Sequence, residues 1–217
     1  MRFVLPAVAL VAILGACRTT ELEPPPVPRE LWGRVERRYA ETPWIALEFG
    51  ASGSVYRAVF GMDDRVCFTD GSNMLVSDGR RTRIAQAGRR PRMSEERIES
   101  KEIRLWIARF GAAPTGFSIF SSTHGSMPHS ESPDARPRQV RYLRRAIIAG
   151  RRCAWLRLKY RWEPEGEWVH DVAVDLESLA ILRRTYTVGD VGGTEEVTTR
   201  VEFDTPQPEE TFRVGEK

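Results

Sequence analysis

The sequence predicts an α+β fold in which a strongly curved antiparallel β-sheet wraps over helices. Three observations lead there. The C-terminal third alternates apolar and charged residues over several long stretches. Two segments carry apolar residues at helical spacing. Glycine and aspartate turn signals separate the rest into short runs.

Taken in order, the first helix is expected over Glu30 to Glu41, where Leu31, Trp32, Val35 and Tyr39 recur on one face and Pro28 stands just ahead. Trp44 to Phe49, Ser54 to Phe60 and Arg65 to Thr69 read as strands. Gly71-Ser72 and Asp78-Gly79 read as turns around Met74 to Val76. The second helix is expected to start at Ser94, an N-cap residue, with Glu95 and Glu96 in its first turn. It carries Ile98, Leu105, Trp106 and Phe110 and stops at Gly111. Between Gly111 and Arg138 the chain is rich in Ser, Pro, Gly and His and reads as a long loop. In Cys153 to Trp162 one face holds Ala154, Leu156, Leu158, Tyr160 and Trp162, and the other holds Arg157, Lys159 and Arg161. Trp168 to Asp175, Ile181 to Val188 and Glu196 to Phe203 continue as an antiparallel meander with one dry and one wet face. A dry face of that extent needs a cover, and the two helices are what the sequence offers.

The amino terminus is of another kind. Arg2 precedes an apolar run from Phe3 to Leu14, and Leu14-Gly15-Ala16-Cys17 ends it with small residues before a cysteine. A charged start, a short apolar core and a small-residue exit make a secretory signal. The run is about a dozen residues, against the ~20 needed to span a bilayer. It resembles the lipobox of bacterial lipoprotein precursors, which implies cleavage before Cys17 and a lipid on that cysteine. Residues 1–16 are then a signal peptide. Residues 17–29, with Pro24, Pro25, Pro26 and Pro28, are a semi-rigid tether, and 30–217 form one domain. Arg18 stands where an aspartate acts as an inner-membrane retention signal in well-studied envelopes. By that analogy the expected location is the outer membrane, facing the periplasm.

Composition narrows the function. Loss of the signal peptide removes only Arg2, so the formal charge falls from +3 to +2 and implies no nucleic-acid partner. The basic residues are almost all arginine. The densest run, Arg89-Arg90-Pro91-Arg92, reads as a solvated loop, with a contact to anionic head groups as its alternative. His124, His129 and Glu131 could make a weak metal site, but they lack helical ligand spacing and read as solvated loop residues. His170 and Asp171 are neighbours in a strand and point to opposite faces. There is no phosphate-cradling glycine loop, no nucleophile elbow and no paired-cysteine zinc spacing. The expectation is a non-catalytic chain without metal or cofactor, and a monomer. Cys67 and Cys153 remain in an oxidising compartment, both on the wet face by alternation, and a disulfide between them is left open because strand order cannot be read.

The opening helix with Leu31-Trp32 and Arg38-Tyr39-Ala40, the stretch Ile148-Ala149-Gly150-Arg151-Arg152-Cys153-Ala154-Trp155-Leu156, the segment Trp168 to Arg184, and the ending Val201-Glu202-Phe203 with Pro208-Glu209-Glu210-Thr211-Phe212 resemble the LolA/LolB group of lipoprotein carriers and receptors. The resemblance implies an unclosed β-barrel lidded by helices, with a cavity that accepts acyl chains. Receptor members of the group are lipoproteins and use a projecting apolar loop, for which Thr115 to Phe120 is the nearest candidate. The leading expectation is therefore acyl-chain or lipoprotein binding in a cavity lined by Leu47, Phe49, Val59, Leu105, Leu156, Leu158 and Leu182. The alternative is a structural or regulatory envelope module whose interior is filled and whose surface binds another protein. An apolar cavity of several hundred cubic ångströms separates the two.

Overall fold

The computed structural model describes residues 24–95, 98–112, 135–162, 166–188 and 191–215. Helix α1 spans Pro28–Glu41. Proline suits a first helical turn, where its missing N–H would have no partner. Leu31, Trp32, Val35 and Tyr39 are its buried face, as the spacing predicts. Pro43 disfavours helical geometry at Thr42, and the helix ends there.

Eleven strands follow in one antiparallel sheet. They are β1 (Ile45–Ala51), β2 (Ser54–Phe60), β3 (Arg65–Thr69), β4 (Met74–Asp78), β5 (Thr82–Ala85) and β6 (Arg92–Ser94), then β7 (Gln139–Ile148), β8 (Arg151–Trp162), β9 (Gly166–Asp175), β10 (Ile181–Val188) and β11 (Val191–Phe203). The spatial order is β6-β5-β4-β3-β2-β1-β11-β10-β9-β8-β7. Two meanders thus join at the β1–β11 pair, and the outer edges belong to β6 and β7. The sheet does not close, and register shifts in β1, β7 and β10 bend it.

Helix α2 (Ser100–Phe110) lies in the connection that crosses from one edge to the other. It begins six residues later than expected, because Ser94 is taken up by the sheet opposite Thr82. Asp64, from the turn between β2 and β3, caps the helix instead, accepting from the Ser100 amide at 3.1 Å and its hydroxyl at 3.2 Å. At the other end the helix stops at Gly111, as the sequence foresees, with φ 98° and ψ 175°, a backbone region open to glycine. A Cβ there would sit 2.8 Å from Glu196 Oε2, so only glycine fits.

The inner face of the sheet and the two helix stripes form one apolar cluster. Phe60, Val66, Phe68 and Leu75 are fully buried in it, and each such side chain contributes about 1.5–3 kcal/mol. Arg104 ties α2 down. Its guanidinium donates to the Thr42 carbonyl and, at 2.8 Å, to the Gly61 carbonyl, and it lies over the Phe60 ring. Burial lowers its pKa to about 10, with Asp64 opposing that shift. Among the described residues no helix is long and apolar enough to cross a membrane.

Candidate functional site

The interior between sheet and helices is where the sequence places a ligand. Leu47, Phe49, Leu156 and Leu158 do face it. They are 0–2% exposed and belong to the same contiguous cluster as Trp106, Phe110 and Tyr160. The other three candidates are placed elsewhere. Val59 packs with Ala46 and Phe212 on the convex face, covered by the C-terminal 3₁₀ turn Glu209–Phe212. Leu182 packs with Cys153, Trp155 and Ala173, also on the convex face, because β10 shifts register between Ile181 and Arg183. Leu105 is buried on α2 outside the main cluster, since Ile103, Trp106, Ile107 and Phe110 form the stripe that faces the sheet.

Two clefts lined by described residues lie outside this core. One of about 640 Å³ is bounded by Arg65, Asp78, Arg81, Glu209 and Phe212, and one of about 340 Å³ by Arg34, Arg37, Arg38, Leu179 and Asp204.

One end of the interior is polar, which the sequence did not indicate. His170 on β9 is fully buried, boxed by Tyr160, Tyr186, Phe110 and Trp168 at ring-centroid distances of 5.2, 5.7, 5.9 and 6.2 Å. Neither ring nitrogen has a hydrogen-bond partner. Burial, and then the nearby Arg184 charge, hold its pKa well below the ordinary 6.5, so the imidazole is neutral. Beside it Arg184 and Glu196 are register partners on β10 and β11, both buried under the end of α2. Arg184 Nη2 donates to the Ile107 carbonyl at 3.1 Å and to that of Ala108, while Glu196 Oε2 accepts from the Ala112 amide at 2.7 Å. The Ala108 carbonyl is one that the helix C-terminus leaves without an intrahelical partner, while the Ile107 carbonyl also accepts from the Gly111 amide at 3.0 Å. The two charges therefore terminate α2 inside the protein. Tyr39 accepts from the Ile181 amide at 3.2 Å, and burial pushes its pKa up to about 12. Among the described residues, the neutral imidazole is packed among aromatic rings and the two charges bond to helix backbone.

Asp171 points the opposite way from His170 and pairs with Arg157 at 2.7 Å on the convex face. Cys67 and Cys153 are free thiols. Five strands separate β3 from β8, and the two side chains lie on the convex face of a curved sheet, which spreads them apart. The disulfide left open by the sequence is thus not formed. Burial raises the pKa of both thiols. Among the described residues no cluster of His, Cys, Asp and Glu could hold a metal ion. His124, His129, Glu131 and the segment Thr115 to Phe120 lie outside the described residues, as does Cys17.

No family model matches the sequence, and no curated protein matches it. Solved structures do share its architecture. LprF from Mycobacterium bovis aligns over 85% of this chain and 96% of its own at 7% identity, with a TM-score of 0.50. The chain therefore shares the fold of LprF, an unclosed antiparallel sheet over helices. The likeness extends to the backbone and not to particular side chains. MucB aligns over 87% of this chain, which spans 62% of MucB, at 12% identity and a TM-score of 0.48. A LolA superfamily protein from Nitrosomonas europaea aligns over 86% of this chain and 97% of its own, at 8% identity and a TM-score of 0.30.

Proposed function

We propose that this chain is an exported, lipid-anchored binding module of the bacterial envelope, and that it engages another protein through its surface without covalent chemistry. The observation that carries this reading is the packed interior. The side chains that would line an acyl cavity, Leu47, Phe49, Leu156 and Leu158, are locked among aromatic rings. The fold by itself permits either lipid or protein as ligand, and the close packing of these four side chains favours protein.

Leu158→Trp tests it. In a filled core the larger ring overpacks, and the protein should lose about 1–3 kcal/mol and melt earlier. The unsubstituted chain should show no saturable binding of a fluorescent fatty acid. Saturable binding that Leu158→Trp weakens at an unchanged melting temperature would instead establish an acyl-chain carrier.

The anchor rests on Arg2, the apolar run and the Leu14-Gly15-Ala16-Cys17 exit. Cys17→Ala should abolish incorporation of labelled fatty acid and leave a longer precursor. Label retained by the variant refutes the anchor. Arg18 after the cysteine supports an outer-membrane location, and fractionation with the inner membrane would refute that part alone.

A further inference from the structure

Charge on the convex face is unevenly balanced. Over its central strands each basic side chain has a carboxylate at hand. Arg57 pairs with Glu48 at 2.9 Å, Arg200 with Glu202 at 2.8 Å, and Arg183 with Glu195 at 3.1 Å. The β7–β8 hairpin differs. From Arg136 to Arg161 it carries ten basic residues and no acidic one. Strand β9 neutralises the β8 side, with Asp171 on Arg157, Glu167 on Lys159 and Asp175 on Arg151. Among the described residues no strand lies beyond the other edge. Arg141 and Arg144 on the edge strand and Arg138 just before it are exposed, and none of them pairs with a carboxylate among the described residues. Arg144 rests over the Trp155 ring at 5.3 Å. Leu143 and Ile147, on the same strand, are 39% and 68% exposed. An edge strand that combines uncompensated arginines with bare aliphatic side chains has the chemistry of a surface that meets lipid head groups.

The path of the chain says which lipid surface this is. Arg145 Nη2 donates to the Pro24 carbonyl at 3.0 Å, and Arg29 Nη2 donates to the Arg138 carbonyl at 3.2 Å. The segment that leads from the tether into α1 is therefore fastened to β7 at two points. Cys17 lies seven residues before Pro24, and seven residues span at most about 25 Å when fully extended. An anchor on Cys17 keeps β7 within that distance of the bilayer, while the rest of the sheet extends away.

We propose that strand β7 is a second membrane contact, in which Arg138, Arg141 and Arg144 bind the anionic head groups of the bilayer that holds Cys17, with Leu143 and Ile147 against the interface. The contact would fix the orientation of the domain and turn the opposite edge, β6, toward partners. This inference rests on the lipid anchor proposed above, and its test is independent of that anchor.

The test uses the chain from residue 18 onward, which has no lipid and keeps every contact described. Vesicles of phosphatidylcholine containing phosphatidylglycerol are compared with phosphatidylcholine alone by co-sedimentation at low and high salt. The chain should bind the phosphatidylglycerol vesicles preferentially, and salt should weaken the binding. Each basic side chain near an anionic surface contributes about 1 kcal/mol, a factor of about five. The triple variant R138Q/R141Q/R144Q should accordingly lose at least about tenfold in affinity at an unchanged melting temperature. The control R89Q/R90Q/R92Q, at the opposite edge, should change it less than about twofold. Equal affinity for both vesicle types would leave an acidic protein surface as the match for these arginines and overturn the membrane assignment. An equal loss in the control variant would also overturn it, since binding would then follow net charge and not β7.

Discussion

The two meanders of the sheet solve different problems. Strands β1 to β6 are three to seven residues long, and their buried inner face is made by Phe60, Val66, Phe68 and Leu75. Tight turns hold them. Asp70 accepts from the Ser72 and Asn73 amides at 3.0 and 2.7 Å and from the Asn73 side chain at 2.8 Å. Strands β7 to β11 are eight to thirteen residues long and pass over the end of α2. There the inner face must supply donors and acceptors to helix backbone that water cannot reach. Arg184, Glu196, Tyr160 and His170 stand where the first meander has aliphatic and phenyl side chains. The lesson is that a half-barrel closes its short wing by hydrophobic burial and local turns, and its long wing by burying charge against a helix terminus.

The largest expected effect breaks the long wing. Arg184→Met takes the side-chain donor from the Ala108 carbonyl, leaves Ile107 only its bond from the Gly111 amide and leaves Glu196 without its facing charge, and should cost about 3–5 kcal/mol in chemical denaturation. Adding Glu196→Leu should recover part of that loss, because the remaining buried charge is removed. Additive losses in the double variant would show that the two charges act separately. Next is the short wing. Asp70→Ala removes three hydrogen bonds from one turn and should cost about 1–2 kcal/mol. A loss as large as that of Arg184→Met would erase the distinction between the wings.

The smallest effect concerns His170. Its folded pKa lies well below 6.5, so the unfolded chain binds a proton that the folded chain refuses. Stability is then lost as pH falls through and below about 6.5, at up to ~1.4 kcal/mol per pH unit. His170→Phe removes two buried nitrogens without partners and should stabilise the protein by about 1 kcal/mol at pH 7. It should also flatten the decline in melting temperature between pH 7 and 5. A variant that declines as steeply as the parent would place the acid sensitivity elsewhere.

Several elements were legible in the sequence because their signals are local. The limits of β2, β3 and β10, the buried face of α1 and the stop at Gly111 follow from alternation, helical spacing and a glycine requirement, each set by residues within a few positions. Strand β7 was missed because a register shift between Tyr142 and Arg144 breaks its alternation. Leu182 was assigned to the wrong face for the same reason in β10. Val59 was misplaced because both faces of β2 are covered there, the outer one by Phe212 from the far end of the chain.

Sequence alone therefore determined the fold class, the lipobox-like start and the wet and dry faces of the regular strands, since periodicity and short motifs need no knowledge of neighbours. Tertiary structure decided the order of the strands, and with it the separation of Cys67 from Cys153 and the exposure of β7 as an edge. It also decided that Arg184 and Glu196 lie inside. A charge is buried only where another segment brings backbone groups to meet it, and that meeting is a property of the assembled chain.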